Sequence, residues 1–131
     1  MAVVVPAAGS AQGSADTTRR QKVGTAMVKR GEREQKQGAA MEKHGEVREN
    51  RGTKVEAHGD KREARGDSLT AAGRTKAGAA LERQGTAMDN KGTRMQKQGN
   101  RMENRGERRE AKGVRTEKRG DSVLAKGKKR P

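Results

Sequence analysis

Residues 59–85 read GDKREARGDSLTAAGRTKAGAALERQG, and a strict spacing of glycines is broken once within this stretch. Glycine recurs every seven residues from Gly24 to Gly73, then after five residues at Gly78, and again every seven residues to Gly127. We call these residues the glycine ladder. The short step coincides with a duplication, because residues 24–77 align without a gap to residues 78–131. The sequence therefore predicts a flexible tail over residues 1–23 and two heptad-repeat copies, 24–77 and 78–131.

The composition argues against a compact globule. Apolar residues make up 27% of the chain, charged residues make up 37%, and there is no Phe, Trp or Tyr. Such a chain cannot bury enough apolar surface to offset the entropy of ordering it around a core. The net charge of +15 predicts acidic partners. No run of 18 apolar residues is present, so we expect no transmembrane segment.

The heptads have a consistent internal pattern when they are labelled a to g with the ladder glycine at position a. Position e is mostly acidic, and positions c and g carry Lys and Arg but no acid. Position d holds apolar residues in nine heptads, which we predict to form an apolar seam: Met27, Met41, Val55, Leu69, Leu81, Met88, Met95, Met102 and Val123. At about 100° per residue, this pattern places acids on one side of a helix and bases on the other.

The predicted fold class is all-α: a single long extended α-helix, coiled-coil-like, with a disordered N-terminal tail and no globular core. The non-glycine residues of the repeats are mostly good helix formers. Glycine opposes the helix, since sixteen of them cost on the order of 13–16 kcal/mol relative to alanine. An isolated helix of this kind should be largely unfolded in water, so we expect its order to be induced by contact.

Two further sets of residues are predicted to meet a partner. Glycine at position a leaves a groove without side chains, where another backbone or surface approaches closely. The close-approach set is Gly24, Gly31, Gly38, Gly45, Gly52, Gly59, Gly66, Gly78, Gly85, Gly92, Gly99, Gly106, Gly113 and Gly120. The partner-binding set at positions c and g is Arg33, Arg51, Lys54, Lys61, Arg65, Lys91, Arg94, Arg101, Arg105, Arg108, Lys112, Arg115 and Arg119.

These features favour a non-enzymatic structural or binding protein: a basic, repetitive helix lying along an acidic protein filament or other polyanion. Our best specific hypothesis is a cytoskeletal filament such as the microtubule. One 54-residue copy spans roughly 81 Å as a helix, which is close to the axial repeat of a tubulin dimer along a protofilament. A parallel homodimer is compatible with Glu at e and Arg or Lys at g. A non-specific nucleic-acid binder is a further alternative, less favoured because no aromatic side chain is available to stack on bases.

The composition of residues 24–131 also resembles the hydrophilins and late-embryogenesis-abundant proteins, which are glycine-rich, very hydrophilic and repetitive and lack Cys and Trp. The resemblance implies a disordered stress protectant that becomes helical when it is dried or bound. The strongly basic charge departs from many members of that class, and the eleven-residue motif of the late-embryogenesis-abundant proteins is not found here.

We expect no enzymatic activity, cofactor or metal site. His44 and His58 lie fourteen residues apart, about 21 Å along a helix, too far to share a metal ion. Cysteine is absent, and no nucleophile or phosphate-loop pattern is present. The expected location is intracellular, cytoplasmic or cytoskeletal, with nuclear and organellar compartments left open.

Overall fold

The computed structural model describes residues 11–128, which form two α-helices and no strand within that range. Helix α1 spans Ala11–Ala71 and helix α2 spans Thr75–Lys128. The all-α prediction is confirmed. The prediction of a single long helix needs correction, because the chain turns back at residues 72–74 and α2 packs against α1.

The turn between the helices is built around Gly73, which has a φ of +80°. The amide of Gly73 donates to the carbonyl of Thr70 at 3.0 Å, and the amide of Arg74 donates to the carbonyl of Leu69 at 2.8 Å. These two bonds form a Schellman motif, the usual helix ending with glycine in a left-handed conformation. The carbonyl of Arg74 then accepts the first helical hydrogen bond of α2, from Gly78. The five-residue step in the ladder is therefore the turn.

A phase argument explains why the turn replaces a continuous helix. Gly66 and Gly78 are twelve residues apart, which corresponds to about 120° around an uninterrupted helix. A single helix would therefore present Gly66 of the first copy and Gly78, the first glycine of the second, on different faces. A turn at Gly73 allows the two rows of glycines to face each other.

The described chain divides into two compact units. The terminal unit contains the residues up to Gln37 and those from Arg109 onward, and the turn unit is Gly38–Arg108. In each unit a segment of α1 packs antiparallel against a segment of α2. The turn unit contains the turn at Gly73.

The helix bounds differ from the predicted segments. Residues 11–23, which were assigned to the flexible tail, belong to α1, whereas residues 1–10 lie outside the described part of the chain. Helix α2 begins at Thr75, three residues before the predicted start of the second copy. The boundary between the copies thus lies in the first turn of α2.

Ladder glycines occupy the centre of the helix interface in both units. Among residues 16–127, the only buried residues are fifteen ladder glycines, and no apolar side chain in this range is buried. Fourteen of the fifteen, all except Gly127, face a glycine of the other helix, and the two residue numbers sum to 144 in every pair, as antiparallel packing in constant register requires. The pairs are Gly24–Gly120 and Gly31–Gly113 in the terminal unit, and Gly38–Gly106, Gly45–Gly99, Gly52–Gly92, Gly59–Gly85 and Gly66–Gly78 in the turn unit.

The backbones approach so closely that no larger residue fits. A Cβ atom added at any of thirteen of these paired glycines would lie 2.6–3.1 Å from the carbonyl oxygen of the facing glycine. Cβ atoms essentially never lie closer than 3.0 Å to such an oxygen, and a distance of 3.1 Å requires the neighbouring atoms to shift. The absent side chain leaves room for Cα–H groups to face carbonyl oxygens across the interface, a weak but repeated interaction. Backbone contact therefore takes the place of an apolar core.

Candidate binding surface

The close-approach glycines of the sequence prediction lie in the interface of the helix pair. All fourteen are buried there, and each faces the opposite helix of the same chain. The groove that they form is thus occupied by the protein's own second helix, and the sequence alone did not distinguish this occupant from an external partner.

The predicted apolar seam lies beside the glycines. All nine of its residues, from Met27 to Val123, are partly exposed. They border the interface at position d without being enclosed in it. Because their apolar stems are partly covered, they add some hydrophobic contact to the pairing of the two helices.

Position e borders the interface on the other side, and its acidic residues, except Glu110, are also partly covered. In the turn unit, Thr93 Oγ1 donates to Glu56 Oε1 at 2.8 Å, and Gln96 Nε2 donates to Glu56 Oε2 at 2.6 Å. Thr86 Oγ1 donates to Glu63 Oε1 at 2.8 Å. These hydrogen bonds join α1 to α2, so positions b and e of both helices share one side of the unit.

We call this side of the turn unit the acidic flank and define it as positions b and e of its helical heptads. It carries no Lys or Arg, and its acids are Glu42, Glu46, Glu49, Glu56, Asp60, Glu63, Asp67, Glu82, Asp89, Glu103 and Glu107. The concentration of negative charge on this flank affects the pKa of Asp89. Burial against α1 raises the pKa of Asp89, and the carboxylates of Glu63, Asp60 and Glu56 raise it further.

The opposite side of the turn unit is basic. We call it the basic flank and define it as positions d and g of the same heptads. Arg62 Nη1 donates to Gln84 Oε1 at 2.6 Å, which joins α1 to α2 on this side. The flank carries no acid, and its ionisable residues are His44, Arg48, Arg51, His58, Arg62, Arg65, Lys91 and Arg105.

The terminal unit shows the same arrangement of positions. Gln35 Nε2 donates to Glu117 Oε2 at 2.5 Å, from position e of α1 to position e of α2. Glu34, at position d, lies 3.2 Å from Arg30 and 3.6 Å from Lys112 of the opposite helix. Lys112 is thus one predicted partner-binding residue that also forms an ion pair within the chain.

The predicted partner-binding bases all point away from the glycines. Each of the thirteen, from Arg33 to Arg119, is exposed. In the turn unit, Arg101, Arg105 and Arg108 line one shallow depression on α2 together with Met102 and Asn104. In the terminal unit, Lys22, Lys29 and Arg33 line a comparable depression on α1. Each depression brings three cationic side chains together.

Position f adds bases that the sequence prediction omitted: Lys29, Lys36, Lys43, Arg83, Lys97 and Lys118. All six are exposed. Their inclusion follows from the helical order of the heptad, because f lies next to c on the side opposite the glycines. We define the outer face as positions c, f and g of residues 24–128. Because the glycines of α1 and α2 face each other within each unit, the outer face has one part on each helix, and the two parts point in opposite directions. The outer face holds 21 Lys and Arg, all of them exposed where the structure describes them, and no Asp or Glu.

Among residues 11–128, no three His, Asp or Glu side chains stand close enough together to hold a metal ion. Neither α1 nor α2 contains a stretch long and apolar enough to cross a membrane. In comparisons with protein-family models, with curated proteins and with solved structures, the chain matches none.

Proposed function

We propose that this is a non-enzymatic structural or binding protein that lays the outer face of one of its paired helices along an acidic partner. The observation that carries the proposal is the segregation of charge. The 21 Lys and Arg of the outer face are exposed and free of intervening acids, while nine acids at position e lie beside the glycines. A surface of one sign raises the local concentration of an oppositely charged partner and speeds its association.

The partner that we favour is an acidic protein filament of the microtubule type. A filament offers acidic surface over a length comparable to that of a long helix. Nucleic acid is less favoured, because the chain has no aromatic side chain to stack on bases. The two copies run in opposite directions in the helix pair, so they do not meet successive filament subunits in the same way, and the proposal rests on charge alone.

Co-sedimentation with microtubules tests this proposal. We expect the chain to bind, and we expect Arg101→Gln/Arg105→Gln/Arg108→Gln to weaken binding by about tenfold or more, because three lost contacts of roughly 0.5–1 kcal/mol each sum to about 1.5–3 kcal/mol. The matched control is Arg48→Gln/Arg62→Gln/Arg109→Gln, which removes the same charge at position d, outside the outer face. Equal losses in both variants, or no binding by the parent chain, would refute the proposal.

Duplex DNA serves as the comparison partner in the same experiment. Binding to DNA that is tighter than binding to microtubules, with a steep loss of affinity as salt is raised, would instead identify a non-specific nucleic-acid binder. In that case the bases of the outer face would bind the phosphates of DNA and not the carboxylates of a filament.

One observation favours a second candidate, a hydrophilin-like stress protectant. No apolar side chain among residues 16–127 is buried, so the helix pair relies mainly on backbone contact and polar bonds. Pairing of this kind depends strongly on how well water competes for the same groups. A chain that is coil in dilute buffer, helical on drying and without affinity for microtubules or DNA would support this candidate.

A further inference from the structure

Two opposite sides of the turn unit carry opposite charge. The acidic flank holds eleven acids and no Lys or Arg, and the basic flank holds six Lys and Arg and no acid. The hydrogen bonds from Thr93 and Gln96 to Glu56 place positions b and e of both helices on one side. The bond from Arg62 to Gln84 places positions d and g on the other.

We propose that the turn unit associates side by side with further copies of this chain, the acidic flank of one copy docking on the basic flank of the next. Charge complementarity favours a second copy of the chain as the partner of each flank. A second copy presents the required opposite surface with the same seven-residue spacing, about 10.5 Å along a helix. Bases and carboxylates on facing copies therefore stay in step over several heptads.

The geometry of this contact leads to open assembly. Acidic flank against acidic flank is repulsive, so the copies do not close into a two-fold dimer through these surfaces. The contact joins two different surfaces, and each added copy leaves one acidic and one basic flank free. Contacts of this type build rows unless a rotation closes them into a ring.

The residues best placed for docking are exposed and lie at the outer edges of the flanks. On the acidic flank these are Glu46, Asp60, Asp67 and Glu107 at position b. On the basic flank they are Arg51, Arg65, Lys91 and Arg105 at position g. None of these eight lies at the centre of the helix interface, so their replacement leaves the glycine pairs intact.

Salt should act on assembly in two directions. The net charge of +15 repels copies at long range. At about 0.1 M salt the Debye length is about 10 Å, which screens this repulsion while flanks in contact still attract. At about 1 M salt the Debye length is about 3 Å, and the contact attraction is lost as well. We expect assembly to be greatest at the intermediate salt concentration.

A pair of charge-reversed variants tests the proposal. Replacing the four acids gives Glu46→Lys/Asp60→Lys/Asp67→Lys/Glu107→Lys, which makes the exposed outer edge of the acidic flank basic and gives a net charge of +23. Replacing the four bases gives Arg51→Glu/Arg65→Glu/Lys91→Glu/Arg105→Glu, with two acidic flanks and a net charge of +7. We expect the parent chain to form species larger than dimers in sedimentation velocity, and each variant alone to remain monomeric.

Mixing the two variants should restore assembly. Both proteins remain net positive, so bulk charge opposes their association and only the flanks favour it. A parent chain that stays monomeric up to its solubility limit overturns the proposal. So does either variant that assembles alone as the parent does, or a mixture of two helical variants that stays monomeric.

The neutral variant Glu46→Gln/Asp60→Asn/Asp67→Asn/Glu107→Gln is a control for misfolding of the charge-reversed variants. Far-ultraviolet circular dichroism should show parental helix content, and the weight-average mass should fall toward that of the monomer. Parental assembly by this variant would also overturn the proposal. The test uses no filament or nucleic acid, so its outcome does not depend on the partner proposed above.

Discussion

Gly52 and Gly92 face each other across the turn unit, and a Cβ atom on either would lie 2.7 Å from the carbonyl oxygen of the other. The same relation holds at each of the other glycine pairs, with distances that stay within half an ångström. The helices are therefore held at a separation that glycine alone permits. This makes the ladder a requirement of the helix pair, although each glycine weakens the individual helix.

The first prediction concerns Gly52→Ala. Alanine should improve intrinsic helix propensity by about 1 kcal/mol, but its methyl group collides with backbone that cannot move without parting the neighbouring pairs. Overpacking of this kind costs up to about 3 kcal/mol, so we expect a net destabilisation of about 2 kcal/mol. Thermal unfolding followed by circular dichroism measures the change.

Gly127→Ala is the matched control for that substitution. Gly127 belongs to the ladder and lies in α2, but an added Cβ there meets no atom within 4 Å. Here only the propensity gain of up to about 1 kcal/mol should remain. If the two substitutions shift the melting temperature in the same direction, the glycines do not act through close packing.

The second prediction concerns the turn. Gly73 has a φ of +80° and no atom within 4 Å of an added Cβ, so its role is conformational and not steric. Gly73→Ala should therefore destabilise the helix pair by about 1–2 kcal/mol, the usual cost of a left-handed conformation for a residue with a side chain. Gly73→Asn should cost less, because asparagine tolerates this region. Equal effects of the two substitutions in chemical denaturation would contradict this account.

The third prediction concerns pH. Asp89 has a raised pKa in the folded chain, chiefly through burial and then through Glu63, Asp60 and Glu56. The folded state therefore binds the Asp89 proton more tightly than the unfolded state does. The resulting stabilisation is fully present below the ordinary Asp value of 3.8 and is lost as pH rises through the raised value.

Asp89→Asn should accordingly stabilise the helix pair at neutral pH, and its advantage should shrink as the pH is lowered. Denaturant unfolding at a series of pH values measures both effects. Asp121→Asn provides the control, since it removes a carboxylate of the terminal unit. An advantage of Asp89→Asn that does not vary with pH would show that packing, and not charge, is the cause.

The sequence contains much of this structure, but its pattern has two interpretations. The heptad period identifies helices, the glycines identify the contact face, and the bases at c and g identify the outer surface. The same seven-residue period is expected for a helix that binds another protein and for a helix that packs against the second copy in its own chain. Only the five-residue step from Gly73 to Gly78 separates the two cases, because it changes the direction of the glycines by about 140° on a continuous helix. Reading that step as the end of a copy concealed its role as a turn.

The acids at position e were also hard to place from sequence. On an isolated helix they form an exposed stripe, but in the structure residues such as Glu56 and Glu63 bond across to the opposite helix. Their cross-helix partners are Thr and Gln residues, and no sequence rule for single helices links these to particular acids. The pairing becomes visible only when the antiparallel register is known.

The last prediction separates two roles for the ladder in binding. If a filament needs the glycines themselves, then replacing them should abolish binding. The structure already fills that groove with the opposite helix, and the proposed contact uses the outer face. In Gly52→Leu/Gly92→Leu the leucines should separate the helices locally while the good helix propensity of leucine preserves helicity. We therefore expect circular dichroism to show retained helix and microtubule binding to change by less than about threefold, or about 0.65 kcal/mol. Loss of binding with helix retained would show that the partner displaces one helix and occupies the glycine groove in its place.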